Sequence, residues 1–394
     1  MPSPARAIVH LNVADFAAAV ERLVEPVLRG RPLIVAPLGA ARSLVYDMSQ
    51  EAYTRGVRKR MPLERARRLC RDARVVAPSP HHYEKAMRAL WRRAQPWSPL
   101  VEVEPDNGHL FLDLTGTARL FGPPQDVAWR IRREVRRELG LDPIWALAPN
   151  KLLAKAASRM VKPDGECVVA PGQEEAFLRP LAIHLLPGLE RHDLYTLREL
   201  NVRQVGQAAP WGPEHLEALF GRRGEHLHRL LHGVDDTPVL PAEAQPQRLM
   251  AEQQFAEDTN DARAVERALF TLAERLGADL RRIGRAARRL ALILGYSDGL
   301  RLARQRTHPE GTANDFLIFD LARAALDSAW TRRVRLRHLR LACDRLGPPP
   351  VQMELCFSEK ERKAAARDGL MTALDHIRQR HGAGKVKVGR SLEA

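Results

Sequence analysis

The chain has 394 residues, 45% of them hydrophobic and only 5% aromatic, with a formal net charge of +15. That length and apolar content hold two to four domains with cores of their own and exclude an unfolded chain. A balance this basic points to a polyanion, nucleic acid first, and no apolar run approaches the length of a membrane span.

The four cysteines, Cys70, Cys167, Cys343 and Cys356, show no C-x-x-C spacing, which argues against a zinc module or a disulfide framework and fits a reducing cytoplasm. In chain order, residues 6–11 read as a short apolar strand and 16–29 as a helix. Asp15 stands where it would cap that helix. Residues 32–36 and 43–46 read as strands of a small lobe whose helices are 49–55 and 63–70. A helix at 83–96, strands within 100–114 and an Arg-rich amphipathic helix at 126–139 follow. Asn150-Lys151-Leu152-Leu153-Ala154-Lys155 opens a further helix, whose lysines are either a solvated face or neighbours of phosphate.

At 186–209, Leu186-Pro187-Gly188-Leu189 precedes a second short segment. Gly188 permits a tight turn, and amides exposed at a helix start can bind a phosphate. Residues 236–247, rich in Pro, Ala and Gln, read as a linker. A new domain then reads strand 249–255, helix 261–280, strands 290–294 and 300–306, helix 315–329 and strand 334–341, a β-α-β-β-α-β order. Arg281, Arg282, Arg285, Arg288 and Arg289 stand just ahead of a strand. Arg304 and Arg306 share one face of the next strand, and Arg337 lies on the last. Such residues suit contacts that track a phosphate backbone without reading bases, although a charged edge strand also discourages aggregation. After Pro348-Pro349-Pro350, the segment Gln352-Met353-Glu354-Leu355-Cys356-Phe357 offers a hydrogen-bonding Gln and the apolar anchors Leu355 and Phe357. Residues 359–379 read as a basic helix.

In this order the motifs resemble Y-family (DinB/UmuC-type) translesion DNA polymerases over nearly the whole chain. The resemblance rests on Ile8 to Glu21, on Asp106 to Gly116, on Ser49-Gln50-Glu51-Ala52-Tyr53 with Gly56-Val57 and Met61-Pro62, on the Asn150 helix and on Lys162-Pro163-Asp164-Gly165. It implies an α+β multidomain fold: a right-hand polymerase with a palm at 1–22 and 77–167, fingers at 23–76 and a helix-hairpin-helix thumb at 168–235. A β-α-β-β-α-β little finger at 248–346 follows the linker, and a tail at 347–394 carries a segment similar to the bacterial clamp-binding peptide, Gln352, Met353, Leu355 and Phe357.

The chain departs from the family at its reactive positions. Metal-binding carboxylates of the family fall on Asn12, Ala14, Gly108 and His109. Mg²⁺ wants hard oxygen ligands, and two such ions held about 4 Å apart need carboxylates between them. An amide, a methyl, a bare glycine and an imidazole do not supply them, and Asp15 and Asp106, the nearest acids, read as a helix cap and a turn residue. Gln50 and Tyr53 replace a Tyr and an Arg that hold the triphosphate, and Ala17 replaces the aromatic residue that excludes ribonucleotides. Lys162 retains a triphosphate contact of the family. The expectation is a non-catalytic, ImuB-like homologue with no cofactor, Mg²⁺ entering only under the alternative of an active, divergent DNA-directed polymerase. Its expected partners are damaged primer-template DNA, through Lys151, Lys155, Gly188 and the arginines above, the sliding clamp, and a separate error-prone polymerase or a RecA-like protein. The expected setting is the SOS response in the bacterial cytoplasm, with no membrane.

Overall fold

The computed structural model describes residues 5–38, 43–104, 107–241, 248–349, 369–371, 373–378, 380 and 386. The chain divides into two compact units, residues 1–244 and 245–394.

The first unit opens with β1 (Ile8–Val13) and α1 (Phe16–Val24). A small lobe follows, made of β2 (Leu33–Val35), β3 (Asp47–Met48), α2 (Gln50–Thr54), α3 (Leu63–Leu69) and β4 (Arg74–Val76). Next come α4 (Pro80–Ala94), β5 (Val101–Val103), β6 (His109–Asp113), α5 (Ala118–Phe121), α6 (Pro124–Leu139), β7 (Pro143–Ala148), α7 (Lys151–Met160) and β8 (Glu166–Val168). Short helices complete it: α8 (Glu174–Leu178), α9 (Arg191–Glu199), α10 (Val205–Ala208), α11 (Pro213–Phe220) and α12 (Gly224–Leu231).

β1 is the centre of a five-stranded sheet, β5-β6-β1-β7-β8, antiparallel to both its neighbours. Every residue of β1 is buried, so its two faces serve different cores. Val9, Leu11 and Val13 pack with residues of α1, α4 and α6 on one side. Ile8 packs with Phe111, Ala146 and the apolar face of α7 on the other. Alternation therefore sets His10 and Asn12 on the α7 side of the sheet. α7 starts on Asn150, whose Oδ1 accepts from the Leu153 amide at 2.9 Å while Nδ2 donates to Gly233 O at 2.7 Å. One side chain thus caps the helix and ties down the chain just after α12.

In the second unit, β9 (Arg248–Thr259), α13 (Ala262–Arg282), β10 (Ala286–Tyr296), β11 (Arg301–Thr312), α14 (Asp315–Ala329) and β12 (Leu336–Gly347) realise the expected β-α-β-β-α-β order. The sheet runs β11-β10-β12-β9, antiparallel throughout. Leu290, Leu292, Leu294, Leu339 and Leu341 pack against α13 and α14 on one face, and each such leucine contributes about 1.5–3 kcal/mol on burial. Part of the tail, residues 369–371 and 373–378, is helical. It is docked by Arg281, which donates to Asp375 at 2.6 and 3.0 Å, and by Arg378, which donates to Glu274 at 2.6 Å.

Candidate active site and nucleic-acid interface

Asn12 lies opposite His109 on β6 and Ile144 on β7, and its side chain is wholly buried. Neither Oδ1 nor Nδ2 finds a hydrogen-bond partner among the described residues. Each orphaned polar group of this kind costs about 1–3 kcal/mol. Ala14 sits in the turn between β1 and α1. Gly108 has φ +77, and a Cβ there would meet Phe16 Cβ at 2.8 Å.

His109 faces inward, its Nδ1 3.1 Å from His10 Nε2, while His10 Nδ1 lies 2.7 Å from Ser158 Oγ. Burial pushes His109 down to about 3; Glu104 opposes the shift, and Lys162, Lys155 and Lys59 add to it. Burial, His109 and Lys155 hold His10 well below the ordinary range too. Both imidazoles are therefore neutral at pH 7. The sequence reading missed His10, although its place two residues before Asn12 on the same strand face marked it.

Asp15 occupies the N-cap position of α1 but makes no capping hydrogen bond, which corrects the sequence expectation. Its backbone is left-handed, with φ 49, and the cap comes instead from Asp47 on β3, whose Oδ2 accepts from the Ala17 amide at 2.9 Å. Asp47 Oδ1 also holds Lys59 Nζ at 3.0 Å. Burial, then Asp47, pushes the Asp15 carboxyl up to about 6. Lys162 shares this neighbourhood: burial and Lys59 lower it, and Asp15 and Asp47 draw it back up. Ala17 on α1 is buried; in the small lobe Gln50 opens α2, and Tyr53 is half-exposed with the Arg58 guanidinium 3.9 Å from its ring centroid. A guanidinium thus returns beside the position from which the family's Arg is missing, through stacking that the sequence reading did not foresee.

No group of three or more His, Cys, Asp or Glu that could hold a metal converges among the described residues. Asp106 lies outside them. An unpartnered amide and an imidazole engaged with a second imidazole do not fit the hard, anionic donor set of paired divalent ions.

A cleft of about 550 Å³ beside the site gathers Lys151, Lys155, Phe111, Gly188 and Arg229. The structure brings the expected Lys151, Lys155 and Gly188 together, adds Phe111 and Arg229, and brings carboxylates with them. Lys151 Nζ donates to both Glu102 oxygens at 2.6 and 2.7 Å, and Lys155 is ion-paired with Glu104. Gly188 has φ +89, as the expected tight turn requires.

In the second unit four of the eight expected arginines also have carboxylate partners among the described residues. Arg281 serves Asp315 and Asp375, Arg282 serves Asp279, Arg289 serves Asp344 and Arg337 serves Asp258. Arg281 is the clearest correction, because its donors hold the tail helix and the start of α14 rather than facing outward. Arg304 and Arg306 share a face as expected, but it is the helix-covered face. Arg306 donates to Ala324 O at 2.9 Å and to Ser328 Oγ at 2.8 Å on α14. Arg288 is exposed and Arg285 half-buried. Gln352, Met353, Leu355 and Phe357 lie outside the described residues.

The sequence matches the impB/mucB/samB family over residues 11–159 and that family's C-terminal domain over 246–355. A DNA polymerase IV of Caulobacter vibrioides is 31% identical across 98% of this chain and 94% of its own length. One from Xanthomonas campestris pv. campestris is 34% identical across 93% of this chain and 98% of its own. Among solved structures, a Y-family polymerase chimera of Dbh and Dpo4 superposes with a TM-score of 0.74 at 21% identity, covering 87% of this chain and 99% of its own. An insertion ternary complex of Dbh DNA polymerase gives 0.63 at 21% identity over 86% of this chain and 98% of its own. These relatives correct one expectation: polymerases of this kind use divalent metal ions, so the absence of a cofactor does not stand.

Proposed function

This chain belongs to the impB/mucB/samB family of Y-family, DinB/UmuC-type DNA polymerases, and from that premise we propose that its main work is to bind primer-template DNA at damaged sites as an adaptor in translesion synthesis. The observation that carries this reading is the side-chain set at residues 12, 14, 108 and 109. Asn12 is buried without a partner among the described residues, His109 is turned onto His10, and Gly108 is left-handed. Nucleotidyl transfer needs negative charge where these residues supply none, whereas gripping DNA needs only cations and exposed amides.

Clamp docking through Gln352, Met353, Leu355 and Phe357 belongs to the same proposal and rests on the sequence alone. So does work beside a separate polymerase or RecA-like protein, in the bacterial cytoplasm. No described helix is long and apolar enough to cross a membrane.

A second reading, templated incorporation by this chain itself, draws support from similarity along the full length to relatives named DNA polymerase IV and from the carboxyl of Asp15 beside Lys162. Primer extension with Mg²⁺ and then Mn²⁺, run beside a DNA-binding titration, separates the two. The adaptor reading expects salt-sensitive binding and little extension. Efficient templated extension that Asp15→Ala abolishes would overturn it.

A further inference from the structure

The registers of the second unit define the sheet face that α13 and α14 leave open. One row across it runs Arg301, Gly295, His338, Gln254 from β11 to β9, and the row beside it holds Arg340 and Glu252. Arg301 and Gln254 are exposed. At the middle of the first row Gly295 has no side chain, and a Cβ built on it would fall within the imidazole of His338. The ring therefore lies flat on the sheet, held there by what Gly295 lacks, while Arg301 and Arg340 flank it.

We propose that His338 is a proton-linked DNA contact. Its imidazole, seated on Gly295 between Arg301 and Arg340, takes up a proton when a backbone phosphate reaches this row, so that duplex affinity falls as pH rises. The inference rests on the DNA-binding reading above.

The groups that face the ring are Arg301 from β11, Glu252 from β9, and Arg340 and Arg337 from its own strand; Gly295 on β10 adds none. Burial and Arg301 hold the imidazole below its ordinary range, Arg340 and Arg337 act in the same sense, and Glu252 opposes them. In the unbound protein the ring is neutral at pH 7. A phosphate among these cations reverses the balance, since it cancels the cationic repulsion and accepts a charge-assisted hydrogen bond from the imidazolium that offsets the cost of burial. His338 then adds one phosphate contact at low pH that is missing at high pH.

The salt dependence of binding reads this directly. Each neutralised phosphate contributes about 0.9 to the slope of log affinity against log salt. Fluorescence anisotropy with a labelled primer-template duplex, at about pH 6 and about pH 8 where histidine titrates, should give a wild-type slope steeper by about 0.9 at the lower pH. His338→Gln should show the shallower slope at both, and His338→Arg the steeper slope at both. Gly295→Ala, which displaces the ring without touching its chemistry, should follow His338→Gln. If His338→Gln keeps the wild-type difference, or if wild-type binding is salt-sensitive but indifferent to pH, the inference fails while DNA binding stands. If the wild type and Arg301→Ala show no salt-sensitive binding at either pH, the DNA-binding reading itself has failed.

Discussion

His10 Nε2 and His109 Nδ1 meet at 3.1 Å across β1 and β6, His109 directly opposite Asn12 in register and His10 two residues before it on the same strand face. Two imidazoles so close, and so nearly excluded from water, share at most one proton comfortably.

That relationship sets a pH dependence of stability. A histidine whose folded pKa is depressed contributes fully above its unfolded value, about 6.5, and the contribution is lost as pH falls toward the folded value. His109, pushed down to about 3, opens a window from there up to its unfolded value. Asp15 and Asp315, each pushed up to about 6 by burial, act in the opposite sense and favour folding as pH falls below that value. The clean measurement is therefore a difference. Urea unfolding of the wild type against His109→Asn should show a wild-type stability falling more steeply below neutrality, by up to about 1.4 kcal/mol per pH unit. Parallel curves would contradict it.

Asn12 gives a prediction of the opposite direction. Replacing two orphaned buried polar atoms by an apolar side chain of similar size should stabilise the fold, so Asn12→Leu should gain about 1–3 kcal/mol in chemical denaturation. A loss instead would mean that the amide has a partner in solution.

Gly108 should resist restoration of the family's acid. Its left-handed backbone and the approach of Phe16 leave no room for a Cβ. Gly108→Asp is expected to cost about 1–3 kcal/mol in thermal or urea unfolding. Extension activity regained without that penalty would show that the turn re-forms freely.

Gly277 invites the usual helix substitution and should punish it. In an ordinary helix interior Gly→Ala gains about 1 kcal/mol. Here the added methyl would meet the Asp315 carboxylate, which is pinned to Arg281 at 2.6 Å. Gly277→Ala should therefore destabilise the second unit, read as a lower unfolding midpoint.

The same cluster governs the tail helix. Asp375→Asn removes the charge that Arg281 holds and should speed amide hydrogen exchange over residues 369–380, with the β-strands of that unit unchanged. Uniform acceleration across the unit would assign Asp375 to the fold rather than to docking.

Much of the fold was legible because its periodicities are strong. The helix at 315–329 coincides with α14, and the Asn150 motif marks the start of α7. Strand ends were less legible: β10 extends back to Ala286, so Arg288 and Arg289 lie within a strand rather than ahead of it. The strand expected at 43–46 lies at Asp47–Met48, because Asp47 is drawn in by the Ala17 amide and Lys59. At the site, the missing carboxylates were readable one by one. What replaces them was not, because His10 with His109 and Glu102 with Lys151 are meetings between segments distant in sequence, and Arg58 reaches Tyr53 only through the turn that ends α2. Charge counting alone also overrated the arginines, since Asp344, Asp258 and Asp375 come to them only through sheet register and tail docking.

Under the proposed DNA-binding reading, the pairing of Lys151 with Glu102 and of Lys155 with Glu104 makes the cleft an exchanger rather than a magnet. An incoming phosphate must evict a carboxylate before it gains a lysine. A single small anion gains little from that swap, whereas a long polymer that completes many swaps at once is retained, so the cleft discriminates by length.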